Sequence, residues 1–304
     1  MINFSKSKKQ IPSLEFTVSP ACAKLCDYCP QTAYIKNYKS KFLNEDKVLT
    51  IKTLKGIIKN ISKGTIIKWT GFTEPLDCKE FDLMANFLHE NKFKQQISTT
   101  LLGNKNSQNY YLENLNQFFE NTLHLPDNKN LMKGKFNEEY RDYVEKVIRS
   151  LHAQNIKFNI ALIGDDFHLS IKEKIETLVK ELKIHDFLIK AKHLNTRASN
   201  IDPKKFNLIQ TEKILPDSKN FYCSYQRLNQ GVLLPNGKVA ICCNDYSMEA
   251  IIGDLKKDRL DNIYMSIEKN ETLKKKFIEG NFLPCKNCEH YSPLERKKTN
   301  SRSV

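Results

Sequence analysis

Leu14-Glu-Phe-Thr-Val18 passes into Ser19-Pro-Ala-Cys22-Ala-Lys-Leu-Cys26-Asp-Tyr-Cys29, a short β-rich run that empties into a loop carrying three cysteines. Three thiolates at spacings of four and three can converge on one centre, and they leave a fourth coordination position open. A structural zinc site closes that position with a fourth Cys or His, and no His follows within a turn or two. An iron of a 4Fe–4S cluster tolerates an open position and can bind a substrate or cofactor there. Spacing alone leaves three readings standing: such a cluster, a zinc ion completed from afar, and loop cysteines that merely pack.

Outward from this stretch, β-rich runs alternate with amphipathic ones. Leu14–Val18, Thr65–Thr70, Gln96–Leu102, Asn121–Leu125, Lys157–Leu162 and Asp186–Ala191 read as six strands. Between them Leu49–Ile61, Lys79–Glu90, Tyr110–Phe119, Asn137–Gln154 and Ile171–Leu182 place apolar residues at helical spacing. The alternation predicts an α/β fold in which right-handed crossovers wind a parallel sheet into an open or partial barrel, with working loops at the carboxyl ends of the strands. Ser98, Thr99 and Thr100 end the third strand, His124, Pro126 and Asp127 the fourth, and Arg197 and Asn200 follow the sixth. All are candidates to face a reaction chamber, although each also has a cap, turn or surface role available.

Thr196–Ser218 has no sustained period and holds Pro203 and Pro216, so it reads as a connector. Gly231–Cys242 then reads as a hairpin around Pro235-Asn236-Gly237, followed by a helix near Ile263–Glu279 and a polar tail. The expected organisation is a barrel over residues 1–200, a small hairpin-plus-helix domain over 201–294 and a disordered tail over 295–304.

The chain of 304 residues has no run approaching the ~18–20 apolar residues of a membrane span, and its start lacks the apolar core of a secretion signal. A cytoplasmic location is the expectation. Nine cysteines are too dilute for a disulfide scaffold and point to metal or redox chemistry. The net charge of +14 comes mostly from lysines scattered among Asn and Ile, which reads as a solvated surface rather than a nucleic-acid interface. An anionic substrate or carrier remains compatible with it.

The second cysteine set lies in the carboxyl-terminal third: Cys223, then Gly237-Lys-Val-Ala-Ile-Cys242, then Cys285-Lys-Asn-Cys288. Four thiolates suit a tetrahedral zinc or a fully ligated 4Fe–4S cluster, and spacing permits either. Cys78 reads as a small buried apolar residue. Cys243, beside Cys242, is either an alternative ligand or a hydrogen-atom donor.

The first cysteine loop, together with Trp69-Thr-Gly71-Phe72-Thr73-Glu74-Pro75 at the end of the second strand, resembles the radical S-adenosylmethionine (SAM) enzymes. Their signature is C-x3-C-x2-C after the first barrel strand, commonly with an aromatic residue before the third cysteine, here Tyr28. Their Gly-Gly-Glu-Pro motif is matched with Phe72-Thr73 in place of the second glycine. The resemblance implies a partial (β/α)6 barrel in which Cys22, Cys26 and Cys29 hold a 4Fe–4S cluster whose fourth iron is chelated by SAM. It implies that Gly71, Phe72, Thr73, Glu74 and Pro75 meet the SAM amino group, with Ser98, Thr99 and Thr100 as further contacts, and that SAM cleavage yields a 5′-deoxyadenosyl radical. The carboxyl-terminal set resembles the Twitch or SPASM auxiliary-cluster domains. No cysteine follows Cys288, which implies one auxiliary 4Fe–4S cluster on Cys223, Cys242, Cys285 and Cys288.

Within the family, the short length and single auxiliary set are similar to the 2-deoxy-scyllo-inosamine dehydrogenases. That similarity implies oxidation of a sugar or cyclitol carbinol, free or carrier-linked, with the auxiliary cluster accepting an electron and a flavodoxin- or ferredoxin-type donor supplying reducing power. Asp127 is the expected base and Arg197 the substrate anchor. The alternative is maturation of a ribosomal peptide by epimerisation or crosslinking, with Cys243 as hydrogen donor.

Overall fold

Six parallel strands appear where β-rich runs were expected: β1 (Ser13–Phe16), β2 (Ile66–Trp69), β3 (Gln95–Thr99), β4 (Phe118–His124), β5 (Lys157–Ile163) and β6 (Leu188–Ala191). The computed structural model of the chain describes residues 12–191, 197–198, 200–202, 221–223, 230–269, 288 and 291–293. Connecting the strands are α1 (Gln31–Lys41), α2 (Ile51–Ile57), α3 (Phe81–Glu90), α4 (Lys105–Glu113), α5 (Glu138–Ala153) and α6 (Leu169–Leu182). Side chains of Thr50, Asn104 and Asn137 accept from backbone N–H groups of the first turns of α2, α4 and α5, satisfying donors that a helix start leaves open.

The helices differ from expectation chiefly in two places. The helix anticipated at Tyr110–Phe119 starts earlier, under its Asn104 cap, and ends at Glu113, because Phe118 and Phe119 already belong to β4. Helix α1 was not foreseen: its buried face is Gln31, Tyr34 and Tyr38 rather than aliphatic, so it lacks the apolar stripe that announces a helix.

The remaining strands are β7 (Phe221–Cys223), β8 (Gln230–Leu233), β9 (Lys238–Ala240), β10 (Ile251–Asp254) and β11 (Tyr291–Pro293), with α7 (Leu260–Lys269) between the last two. The hairpin β8–β9 forms around the expected turn, with Gly237 at φ +89°. It does not stand apart from the barrel. β8 pairs in parallel with β1, Ser13 opposite Gln230 and Phe16 opposite Leu233, giving one open nine-stranded sheet in the order β10-β9-β8-β1-β2-β3-β4-β5-β6. Without β8, strand β1 would expose a row of unpaired backbone groups. Helix α7 fastens this junction: the Tyr264 hydroxyl accepts from the Gly231 N–H at 2.9 Å and donates to the Ser13 carbonyl at 2.9 Å. β7 and β11 form a separate antiparallel pair. Most of the connector, residues 270–279 of the expected last helix, and the tail lie outside the described residues.

One face of the sheet is covered by helices. Leu14, Phe16, Ile67, Trp69, Ile97, Leu123 and Ile160 pack into a core with residues of α2–α6. Trp69 sits edge-on to Phe16 and Phe81 at 5.3 and 5.0 Å, each such side chain contributing about 1.5–3 kcal/mol by leaving water. The opposite face carries the other parity of each strand and lines the site. Among the described residues no helix is long and apolar enough to cross a membrane.

Candidate active site

The loops after β1 and β2 are locked together. Gly71 takes φ +34°, and a Cβ there would lie 2.4 Å from Thr17 Oγ1 and 2.5 Å from the Phe16 carbonyl oxygen, so only glycine allows the approach. The Phe72 N–H donates to Thr17 Oγ1 at 3.1 Å, and the Val18 N–H donates to Thr73 Oγ1 at 3.3 Å. From α1, the buried Gln31 amide joins the same loops. Its Oε1 accepts from the Cys22 N–H at 3.1 Å, while its Nε2 donates to the Phe72 carbonyl and faces Cys29 Sγ at 3.7 Å. Tyr34, Phe72 and Tyr246 pack as tilted rings in sequence, centroids of successive rings 4.9 Å apart, and bring the segment after β9 against the turn.

These loops roof a cavity of about 510 Å³ lined by Cys22, Cys26 and Cys29, with Tyr28, Gly71–Glu74, Ser98–Thr100, His124, Arg197 and Cys243 also in its wall. Burial pushes the Cys22 thiol up to about 12 and raises those of Cys26 and Cys29. The Arg197 guanidinium opposes this at Cys29, and the Tyr28 hydroxyl does so at Cys26. Such thiols ionise only with a cation to compensate, which bound iron supplies. Among the described residues no three Cys, His, Asp or Glu side chains surround a single-ion position. The three cysteines line one cavity, and that donor set suits a cluster with a separate iron for each thiolate.

Glu74 is buried, and its carboxylate ties the β2 turn to the end of β3. Oε1 accepts from Thr99 Oγ1 at 2.6 Å and the Leu76 N–H at 3.2 Å, while Oε2 accepts from the Thr100 N–H and Oγ1, both at 2.7 Å. Desolvation still raises its carboxyl above the usual range. Thr99 and Thr100 therefore hold Glu74 as well as lining the wall. Pro75 opens a short 3-10 turn behind the cavity and is absent from its lining.

Asp127 is corrected by the structure. Its side chain, in a residue 1% exposed, accepts from the backbone N–H groups of Lys129, Leu131 and Met132. It organises the loop after β4 and does not line the cavity. A buried carboxylate spent on three backbone N–H groups and lying outside the cavity is a loop cap rather than a base in contact with substrate. His124, at the end of β4, does line the cavity, and burial, aided by Arg197, pushes its imidazole down to about 4. Asn200, exposed, donates to the Arg197 carbonyl at 2.7 Å. Cys78 is buried in the main core, as expected of a small apolar filler.

Deeper in the cavity lies a layer that sequence reasoning missed. Glu15, Lys68, Gln96 and Glu120 line it from β1, β2, β3 and β4, each opposite the next in the strand registers. Gln96 Nε2 donates to Glu120 Oε2, and Lys157 pairs with Glu120 at 2.6 Å. Ser98 and Thr122 form the layer above. A sequence signal for this face exists: Glu15, Lys68, Gln96, Ser98, Glu120 and Thr122 put polar residues inside these strands, whereas parallel strands covered on both faces read as continuous apolar runs.

The second cysteine set is partly described. Cys242 and Cys243 diverge: Cys243 lines the cavity beside Tyr246, while the Cys242 sulfur accepts from the Asn244 N–H at 3.4 Å. The Asn244 side-chain Nδ2 donates to Cys288 Sγ at 3.6 Å, so one residue links Cys242 and Cys288. Cys223 ends β7 opposite Tyr291, three residues beyond Cys288. Two of the four expected ligand positions, Cys242 and Cys288, are thus joined through Asn244, and Cys285 lies outside the described residues. Two sulfurs from separated segments, each met by an Asn244 N–H, fit a thiolate-bound cluster.

Residues 223–289 match the family model SPASM, an iron–sulfur cluster-binding domain. The fold is similar to that of BtrN in the crystal structure of its complex with AdoMet and 2-DOIA, with a TM-score of 0.51 and 14% identity over 95% of each chain. It is also similar to that of native anSMEcpe with bound AdoMet and Cp18Cys peptide, with a TM-score of 0.51 and 15% identity over 87% of this chain and 83% of that one. No curated protein sequence matches the chain. The chain therefore shares the α/β fold of these two AdoMet-bound structures and, at residues 223–289, matches the SPASM iron–sulfur cluster-binding domain.

Proposed function

We propose that this protein is a radical SAM oxidoreductase that converts a hydroxyl-bearing carbon of a sugar- or cyclitol-type substrate, free or carrier-linked, to a ketone. The observation that carries the proposal is the joining of a thiol-lined roof to a polar inner sheet face in one cavity of about 510 Å³. Glu15, Lys68, Gln96, Ser98 and Thr122 give the wall charged and hydrogen-bonding groups, a lining that suits a polyhydroxylated ring better than an apolar substrate. Cys22, Cys26 and Cys29 would hold one 4Fe–4S cluster, and Cys223, Cys242, Cys285 and Cys288 the other. The Gly71–Glu74 turn and Ser98–Thr100 would hold SAM. The SPASM match and the AdoMet-bound structures of similar fold support these cofactors. When bound, the groups supply a hydrogen-abstracting 5′-deoxyadenosyl radical and an acceptor for one electron.

The chain's own residues hold and orient. Gln31 holds Cys22, Cys29 and Phe72 in fixed relation. Arg197 presents a cation to the substrate beside Cys29. His124, neutral near pH 7, accepts a hydrogen bond from the substrate hydroxyl at the place where Asp127 was expected, and the proton leaves to solvent. Loss of one hydrogen atom, one proton and one electron leaves the ketone.

Cys243 favours a second reading, peptide epimerisation or crosslinking, because its thiol lines the cavity and can return a hydrogen atom to a carbon radical. Anaerobically reconstituted protein incubated with a chemical reductant, SAM and carbon-deuterated aminocyclitols and sugars tests the choice. Deuterium in 5′-deoxyadenosine together with ketone product is expected. No transfer from any of them, with solvent deuterium appearing in a peptide, would overturn the dehydrogenase reading.

A further inference from the structure

Asn244 is 3% exposed and occupies the tight bend after Cys242-Cys243. Its neighbour Asp245 accepts from Ser247 Oγ, the Glu249 N–H and the Ala250 N–H, at 3.0, 3.1 and 2.9 Å, which fixes the loop. Both nitrogens of Asn244 meet sulfur: the backbone N–H donates to Cys242 Sγ at 3.4 Å and Nδ2 donates to Cys288 Sγ at 3.6 Å. Its Oδ1 is buried without a hydrogen-bond partner among the described residues. Buried amide oxygens are seldom left so.

From this geometry we propose that Asn244 is a positioning residue of the carboxyl-terminal iron–sulfur site, holding Cys242 and Cys288 together as thiolates and raising the reduction potential of their cluster through two N–H···S hydrogen bonds. The proposal rests on Cys242 and Cys288 being cluster ligands. A reduced cluster carries one more negative charge, shared onto its sulfurs, so donors aimed at them stabilise the reduced form more than the oxidised form. The site becomes a better electron acceptor, as carbinol oxidation requires. Neither Asp245 nor Cys243 provides this, since the first is engaged with its own loop and the second faces the cavity.

The test uses the full chain with Cys22, Cys26 and Cys29 replaced by alanine, reconstituted anaerobically so that only the carboxyl-terminal cluster remains. Its midpoint potential, followed by electron paramagnetic resonance, is compared with that of the same chain carrying Asn244→Ala or Asn244→Asp. Both substitutions should shift the midpoint negative by a tenfold change or more in the electron-transfer equilibrium, about 59 mV for one electron. Asp, which adds a negative charge against sulfur, should shift it further than Ala. Unmoved midpoints in iron-loaded variants overturn the proposal alone. A parent chain that holds no iron overturns the ligand assignment and the proposal with it. Variants that fail to assemble are covered by labelling asparagine with 15N in the parent: a nitrogen coupling to the reduced cluster in pulsed resonance is expected, and its absence overturns the proposal.

Discussion

Replacing Asp127 by asparagine separates a loop-capping carboxylate from a catalytic base. Oδ1 accepts from the Lys129 and Leu131 N–H groups at 3.0 and 3.1 Å, and Oδ2 accepts from those of Leu131 and Met132 at 3.0 and 2.9 Å. Asparagine keeps one oxygen. Whichever way its amide turns, Lys129 or Met132 loses its acceptor and meets an N–H₂ group instead. A buried donor left unpaired costs about 1–3 kcal/mol, and the bonds that remain lose the strength a charged acceptor adds, about 1 kcal/mol each. Asp127→Asn should therefore destabilise the fold by roughly 3–5 kcal/mol, within the range of severe single substitutions. Urea unfolding, together with amide exchange at Leu131 and Met132, measures it. The variant that remains folded should cleave SAM and turn over substrate at close to the parent rate. An unchanged unfolding midpoint with lost turnover would refute the reasoning and return Asp127 to the role of base.

Gly71→Ala forces a Cβ to within 2.5 Å of the Phe16 carbonyl oxygen, backbone that cannot move cheaply, in a left-handed conformation; a loss of about 3–4 kcal/mol and weakened SAM binding by calorimetry are expected. For His124, the folded imidazole stays neutral down to about 4 while an unfolded one protonates near 6.5, so stability falls as pH drops through that window, by at most about 3 kcal/mol. His124→Gln should flatten the stability profile there, and an unaltered slope would contradict the assignment. Cys242→Ser should lower reconstituted iron from about eight to about four per chain, whereas Cys243→Ser, whose side chain faces the cavity, should retain about eight. Equal iron loss in both would place Cys243 among the ligands.

Much of this protein is legible along the chain because the informative signals are local. The six parallel strands, the helices between them other than α1, the cysteine loop after β1 and the Gly71–Pro75 turn after β2 depend on short-range periodicity and spacing, which sequence displays directly. The hairpin turn at Pro235-Asn236-Gly237 belongs to the same class. Other features arise only when distant segments meet. Nothing in Gln230–Leu233 states that β8 will cover β1, since parallel pairing across more than two hundred residues is chosen by which edge lacks a partner. Asp127 looks like a base in sequence, and three backbone N–H groups make it a cap. Gln31 and Tyr34 look like unremarkable polar positions until α1 turns them onto the cysteine loop. Cys242 and Cys243 are indistinguishable by spacing, and only the bend held by Asp245 sends one sulfur toward Cys288 and the other into the cavity. A side chain's chemistry is written in the sequence, but its direction and hydrogen-bond partners are properties of the packed backbone, and those decided which residues form the site.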